Sequence, residues 1–181
     1  MKKLVVMLLL FFSAVGAQSA DNQRDLSSQE TFKILGIELG KDTIDDVKKI
    51  AHEKKCRLEK NEDESYSLEG CFDLPGEYRT RYSFDKKTGK VFSICFSLLS
   101  DGDRKLANES PILNYLEALE NRYGKPSSVN HIPRISVWIW KFPNLKIDAR
   151  DSFGDFYIEY TSLVVTRMMK EREVNRISSQ M

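Results

Sequence analysis

Two histidines and three cysteines are the first places to look for chemistry in this 181-residue chain. His52 and Cys56 stand four residues apart near the end of a helical pattern, a spacing at which two ligands can reach one ion. No second Cys/His pair completes a tetrahedral set, so no metal is expected. His131 stands two residues before Pro133 in what reads as a loop, with no nucleophile motif around it. Cys56, Cys71 and Cys95 admit one bridge and one leftover thiol. Cys56 and Cys71 fall in two strand candidates joined by the polar turn 61–64. Pairing them closes a hairpin of about fifteen residues, worth roughly 3 kcal/mol in chain entropy, and this is the expected disulfide. Cys95 lies in the apolar run 91–99, where a free cysteine acts as a small hydrophobe. A reactive thiol would need exposure and a cationic neighbour, and none is evident in the sequence. The chain has no Gly-x-Ser-x-Gly elbow, no phosphate-binding glycine loop, no His-Glu-x-x-His and no EF-hand loop. The reading is therefore a protein without catalytic residues or cofactor. The alternative is a small hydrolase or thiol-dependent enzyme that uses His131 or Cys95.

Surface recognition is the better-supported chemistry. Trp138, Trp140 and Phe142 share one face of a strand whose other face carries Ile135, Val137 and Ile139. One face must cover helices. In a two-layer domain the other would expose an apolar patch, and such patches mark binding sites. The opposing reading is a strand buried on both sides, where tryptophans commonly sit. Arg79 and Arg81 occupy the wet face of an earlier strand, where they could meet an acidic partner or simply keep the sheet soluble. Trp138, Trp140, Arg79 and Arg81 are the candidate binding residues. The acidic turn of Glu59, Glu62, Asp63 and Glu64 reads as a solvated hairpin tip.

The elements that must position these groups are legible from periodicity. Ile44, Val47, Ile50 and Ala51 recur at helical spacing over 42–54, with Asp42 or Thr43 as N-cap and Asp45 and Asp46 in the first turn. A short apolar segment, 34–40, precedes them and closes on a glycine turn. Strands are expected at 56–60, 65–73, 78–85 and 90–99, punctuated by Leu74-Pro75-Gly76 and Lys86-Lys87-Thr88-Gly89. The third alternates Tyr78, Thr80, Tyr82 and Phe84 against Arg79, Arg81 and Ser83, so one face is buried and one is wet. The fourth sets Phe92, Ile94, Phe96 and Leu98 against Val91, Ser93, Cys95 and Ser97; a second face of small residues points to a central strand. A second helix has Ser110 as N-cap, Pro111 at its first position, a stripe of Ile112, Tyr115, Leu116, Leu119 and Tyr123, and a Gly124, Pro126 stop. Strands at 135–142, 145–149 and 156–161 follow, then a polar terminal helix after Ser162. The fold class is α+β: antiparallel sheet or sheets with helices packed on one face, and a helix-then-meander unit repeated in degenerate form.

Composition places this domain in the cell. Lys2 and Lys3, the apolar run 4–12 and the small residues Ser13, Ala14, Gly16 and Ala17 form a secretory signal peptide within residues 1–20, cleaved after Ala17 or Ala20. Its apolar run falls short of the roughly 20 residues that span a bilayer, so no stable membrane anchor is expected. Residues 21–181 then form one exported domain, periplasmic or secreted, with 21–30 as a polar lead-in. Asn108-Glu109-Ser110 would serve as a glycosylation acceptor only in a eukaryotic secretory pathway. The whole chain is 41% hydrophobic and 30% charged, as a soluble globular domain is. Without Lys2 and Lys3 its 28 basic residues become 26 against 27 acidic, one net negative charge. Nucleic acid is excluded as a partner, because phosphate binding draws on a basic surplus.

The segment Leu39-Gly40-Lys41-Asp42-Thr43-Ile44-Asp45-Asp46-Val47, followed by antiparallel strands, resembles the glycine-plus-helix opening of small envelope proteins of the BamE-like and β-lactamase-inhibitor-like group. The later Leu119-Glu120-Asn121-Arg122-Tyr123-Gly124-Lys125-Pro126, running from a helix end towards an aromatic strand, is similar to the same group. The resemblance implies a scaffold or inhibitor that binds another envelope protein, with no catalytic residues to carry over. The chain differs from the BamE-like lipoproteins in lacking an acylated cysteine, and from the inhibitors in having a single plausible bridge.

Overall fold

The computed structural model describes residues 32–69, 71, 78–98, 111–152 and 155–180. The fold is α+β: among the described residues, three helices, a two-stranded sheet and an eight-stranded antiparallel sheet. The expected signal peptide and lead-in, the Leu74-Pro75-Gly76 turn, the Asn108-Glu109-Ser110 triplet and the Ser110 cap lie outside these residues.

The first hairpin joins β1 (Phe32–Ile34) to β2 (Ile37–Leu39) through Leu35 and Gly36, both at positive φ. A two-residue turn needs that conformation to match the twist of its strands, and a leucine holds it only under strain. Phe32, Ile34, Ile37 and Leu39 are all buried, so the sequence's short apolar segment is a core hairpin. It docks on the main sheet where the Gly40 N–H donates to the Val91 carbonyl and the Val91 N–H to the Asp42 carbonyl, both at 2.8 Å.

Helix α1 (Ile44–Lys54) starts at Thr43, the second of the two cap candidates. The Asp46 carboxylate accepts from the Thr43 N–H at 2.9 Å and from its hydroxyl at 3.0 Å, fixing the first turn. Its meander is β3 (Arg57–Lys60), β4 (Tyr66–Glu69), β5 (Tyr78–Phe84) and β6 (Val91–Leu98). Helix α2 (Pro111–Tyr123) opens the second unit, with β7 (Ser128–Ile132), β8 (Ile135–Lys141), β9 (Leu145–Ser152) and β10 (Asp155–Ser162). Helix α3 (Leu163–Ser178) closes the chain, its first turn held by the Ser162 hydroxyl accepting from the Val165 N–H. The strand order is β3-β4-β5-β6-β10-β9-β8-β7. Each unit is a helix and a four-stranded meander, and the two last strands, β6 and β10, pair at the centre. The degenerate repeat expected from sequence is thus present in the topology, with one strand more.

That extra strand is β7, where the sequence reads as a loop around His131. All five of its residues are exposed, so it has no buried alternate positions to betray a strand. A second difference concerns β6. Phe84 pairs with Val91 while Ser83 pairs with Ser93, leaving Phe92 as an extra residue. This bulge turns Val91 to the core, fully buried, in the place the alternation assigns to Phe92.

The core lies between one sheet face and the helices. Val47 and Ala51 of α1, and Ile112, Leu116, Leu119 and Tyr123 of α2, close over Leu68, Tyr82, Ile94, Ile147, Phe156 and Tyr160. Helix α2 stops at Gly124, whose N–H still donates to the Glu120 carbonyl at 2.8 Å while its positive φ turns the following chain out of the helix. Among the described residues, no helix is long and apolar enough to cross a membrane.

Candidate functional site

The period of two along each strand decides which groups share a surface, and the ladder registers carry that choice across the sheet. One transverse row runs Leu68, Thr80, Phe96, Ile158, Ala149, Trp138 and faces the helices. The neighbouring row runs Ser67, Arg81, Cys95, Glu159, Asp148, Ile139 on the opposite, open face. The four candidate binding residues therefore divide. Trp138 and Trp140 point to the helix side, Arg79 and Arg81 to the open side, so the structure does not bring the two pairs together.

The tryptophans serve the core. Trp140 is 1% exposed, and its indole N–H donates to the Gly124 carbonyl at 2.7 Å. That bond ties β8 to the end of α2. Trp140 is thus not available to a partner on the folded surface. Trp138 is half-buried and meets the His131 ring edge-on at 5.8 Å between centroids.

Because the aromatic face of β8 covers the helices, its aliphatic face is the one turned outward. Ile135, Val137 and Ile139 are partly exposed there, and Ile132, paired with Ile135, is 61% exposed. Beside this strip, Arg150 on β9 pairs in register with Val137 and is exposed. The β3–β6 half of the same face is polar. Arg79 holds Glu69 through Nε at 2.8 Å and Nη2 at 2.6 Å, whereas exposed Arg81 is only 3.8 Å from the Asp63 carboxylate. Between them the face is built of small residues. Ser67 and Ser93 are buried beneath the charged side chains; Ser67 accepts from Asn61 Nδ2 at 2.9 Å, and Ser93 donates to Glu159 at 2.6 Å. Sequence reasoning weighed this second face of β8 but placed the site on the tryptophans. The signal that could have turned it was Arg150 and Asp148 on β9, which face the aliphatic strip across the ladder.

The titratable groups behave as their surroundings require. Cys95 is half-buried on the open face, and burial, helped by the Glu159 charge, pushes its thiol up to about 11 against the opposing pull of Arg81 and Arg150. At pH 8 a shift from 9.0 to about 11 cuts the thiolate fraction about a hundredfold. Iodoacetamide should accordingly alkylate Cys95 far more slowly in the folded protein than in urea with the disulfide intact. Equal rates would return thiol chemistry to contention. Cys95 and His131 lie on opposite faces, four strands apart. The structure instead sets His131 Nδ1 2.9 Å from the Ser136 hydroxyl on the neighbouring strand. No carboxylate bonds the other ring nitrogen among the described residues, so the pair lacks the third group that orients a catalytic imidazole. Cys56 is bonded to Cys71 and is therefore no ligand beside His52. The acidic tip is spent locally, Asp63 on Ser65 and Glu64 on Lys86 at 2.8 Å.

A cavity of about 920 Å³ opens between α3 and the β4–β5 ends, walled by Tyr66, Phe84, Phe92 and Met169. Asp85, 4% exposed, bonds Arg172 there at 2.6 Å and accepts from the Thr88 hydroxyl. Burial raises its carboxyl, but Thr88, Arg172 and the Lys87 N–H together hold it below the usual range. No protein-family model, curated protein or solved structure matches the chain.

Proposed function

We propose that the protein is an exported, non-catalytic binding protein that holds another envelope protein against the open face of its eight-stranded sheet. The observation that carries this reading is the aliphatic strip on the sheet face opposite the one that packs on α1 and α2, where Ile132 is exposed and Ile135, Val137 and Ile139 are partly exposed. An apolar strip bordered by polar groups is the usual composition of an interface centre and its rim. Arg150 beside Val137, and Arg81 across the sheet, give the rim cationic groups with weak or no ion pairing among the described residues. The partner's chemistry follows by complementarity: an apolar side chain flanked by carboxylates. Periplasmic or secreted placement is supported by the signal-peptide pattern and by the Cys56–Cys71 bridge, since such bonds persist in oxidising compartments. The resemblance to scaffold and inhibitor proteins points the same way.

The test compares two surface variants for binding to a partner recovered by crosslinking in the envelope and then purified. Val137→Lys with Ile139→Lys puts charge into the strip; Glu117→Lys alters an exposed site on α2. The strip variant should bind about tenfold more weakly or worse, a loss of at least about 1.4 kcal/mol, at a temperature where circular dichroism shows it fully folded. The α2 variant should bind as the wild type does. Equal affinity in all three would overturn the reading.

A further inference from the structure

The geometry points to β7 as the seam of a homodimer, in which β7 of one copy pairs antiparallel with β7 of a second copy to join two eight-stranded sheets. This does not depend on the open-face reading. Among the described residues the sheet has two edges, β3 and β7, and they differ in how they are defended. Edge strand β3 reads Arg57-Leu58-Glu59-Lys60, and charged side chains on an edge disfavour pairing with another chain. Edge strand β7 reads Ser128-Val129-Asn130-His131-Ile132, without a formal charge at neutral pH, without proline, and exposed along its whole length. Val129 is 42% and Ile132 61% exposed. An undefended edge strand is a template for a further strand.

The charge pattern selects a second copy as that strand. Self-pairing of β3 would set Arg57 opposite Lys60, and pairing of β7 with β3 would bring that charged strand into the ladder and leave further edges open, a route to filaments. Self-pairing of β7 opposes no like charges and closes on itself. Ile132 and Ile135 flank the two-residue turn Pro133-Arg134, so they form a hydrogen-bonded pair; by alternation the backbone groups of Val129 and His131 point away from β8. A twofold axis at Asn130 then sets Val129 opposite His131 of the second copy, and the reverse, each pair exchanging two hydrogen bonds. Ile132 meets Ser128 of the second copy. The axis stands perpendicular to the sheet, so both open faces stay on one side and their aliphatic strips become neighbours. A five-residue seam buries less than the roughly 1,200 Å² of a standard interface, which makes the dimer weak and concentration-dependent.

The axis supplies a direct test, because Asn130 faces its own copy. Sedimentation equilibrium of the wild-type protein should show a monomer–dimer equilibrium. Asn130→Lys and Asn130→Asp, both at an exposed position, should each weaken it about fivefold through opposed like charges. An equimolar mixture of the two variants should regain association, since Lys then faces Asp. A wild type that is monomeric at every concentration, charge variants that associate as the wild type does, or a mixture no stronger than its components would each overturn the proposal.

Discussion

Trp140→Ala should cost about 3–5 kcal/mol of stability, read as the shift in a chemical denaturation curve. The indole is 1% exposed between sheet and helices, so its removal leaves a cavity where the aromatic cluster of α2 and β8 closes. It also leaves the Gly124 carbonyl without the donor that joins the end of α2 to β8. Trp138→Ala, at a half-buried position on the same face, should cost about half as much or less. Trp140→Phe keeps most of the apolar area and should recover most of the loss. A Trp140→Ala variant that melts like the wild type would contradict the burial. The consequence for function is practical: lost binding in Trp140→Ala would report a damaged fold, so the open-face substitutions at Val137 and Ile139 are the informative ones.

Replacing both bridge cysteines, Cys56→Ser with Cys71→Ser, should lower stability by about 3 kcal/mol, the loop-closure value for residues 15 apart. The bridge ties the residue that follows the α1 cap to the segment just beyond β4, across a Cα separation of 5.0 Å. It is placed where non-covalent support is thin. Strand β3 is four residues long and, among the described residues, has a neighbour on one side only. Leu58, half-buried, is its contribution to the core. Without the bridge, this edge should lose amide-exchange protection first, while β6 and β10 at the centre keep theirs. A double variant within 1 kcal/mol of the wild type, or protection lost uniformly, would show that the bridge does not hold this edge.

These two expectations have different roots in the sequence. The bridge follows from three cysteines and two strands joined by a short polar turn, because hairpin geometry brings the ends of its strands together. The burial of Trp140 does not. Alternation along β8 separates Trp138, Trp140 and Phe142 from Ile135, Val137 and Ile139, but both sets are apolar. Periodicity then establishes two faces without saying which one meets the helices.

Local chemistry determined the helices, the acidic first turn of α1, the strands other than β7, the α+β class and the Cys56–Cys71 pair. Each depends on residues within a turn or a hairpin of one another. Tertiary structure alone decided three things. It made β7 a strand, since backbone pairing with β8 needs no buried side chain. It turned Val91 inward through the Phe92 bulge, an offset fixed by the β5 register. It set the arginines and tryptophans on opposite sides of the sheet and left the aliphatic strip outside. That last outcome depends on the order in which eight strands pair, which places β8 beside β9, and on the sheet face that α1 and α2 cover. No period within a single strand carries that information.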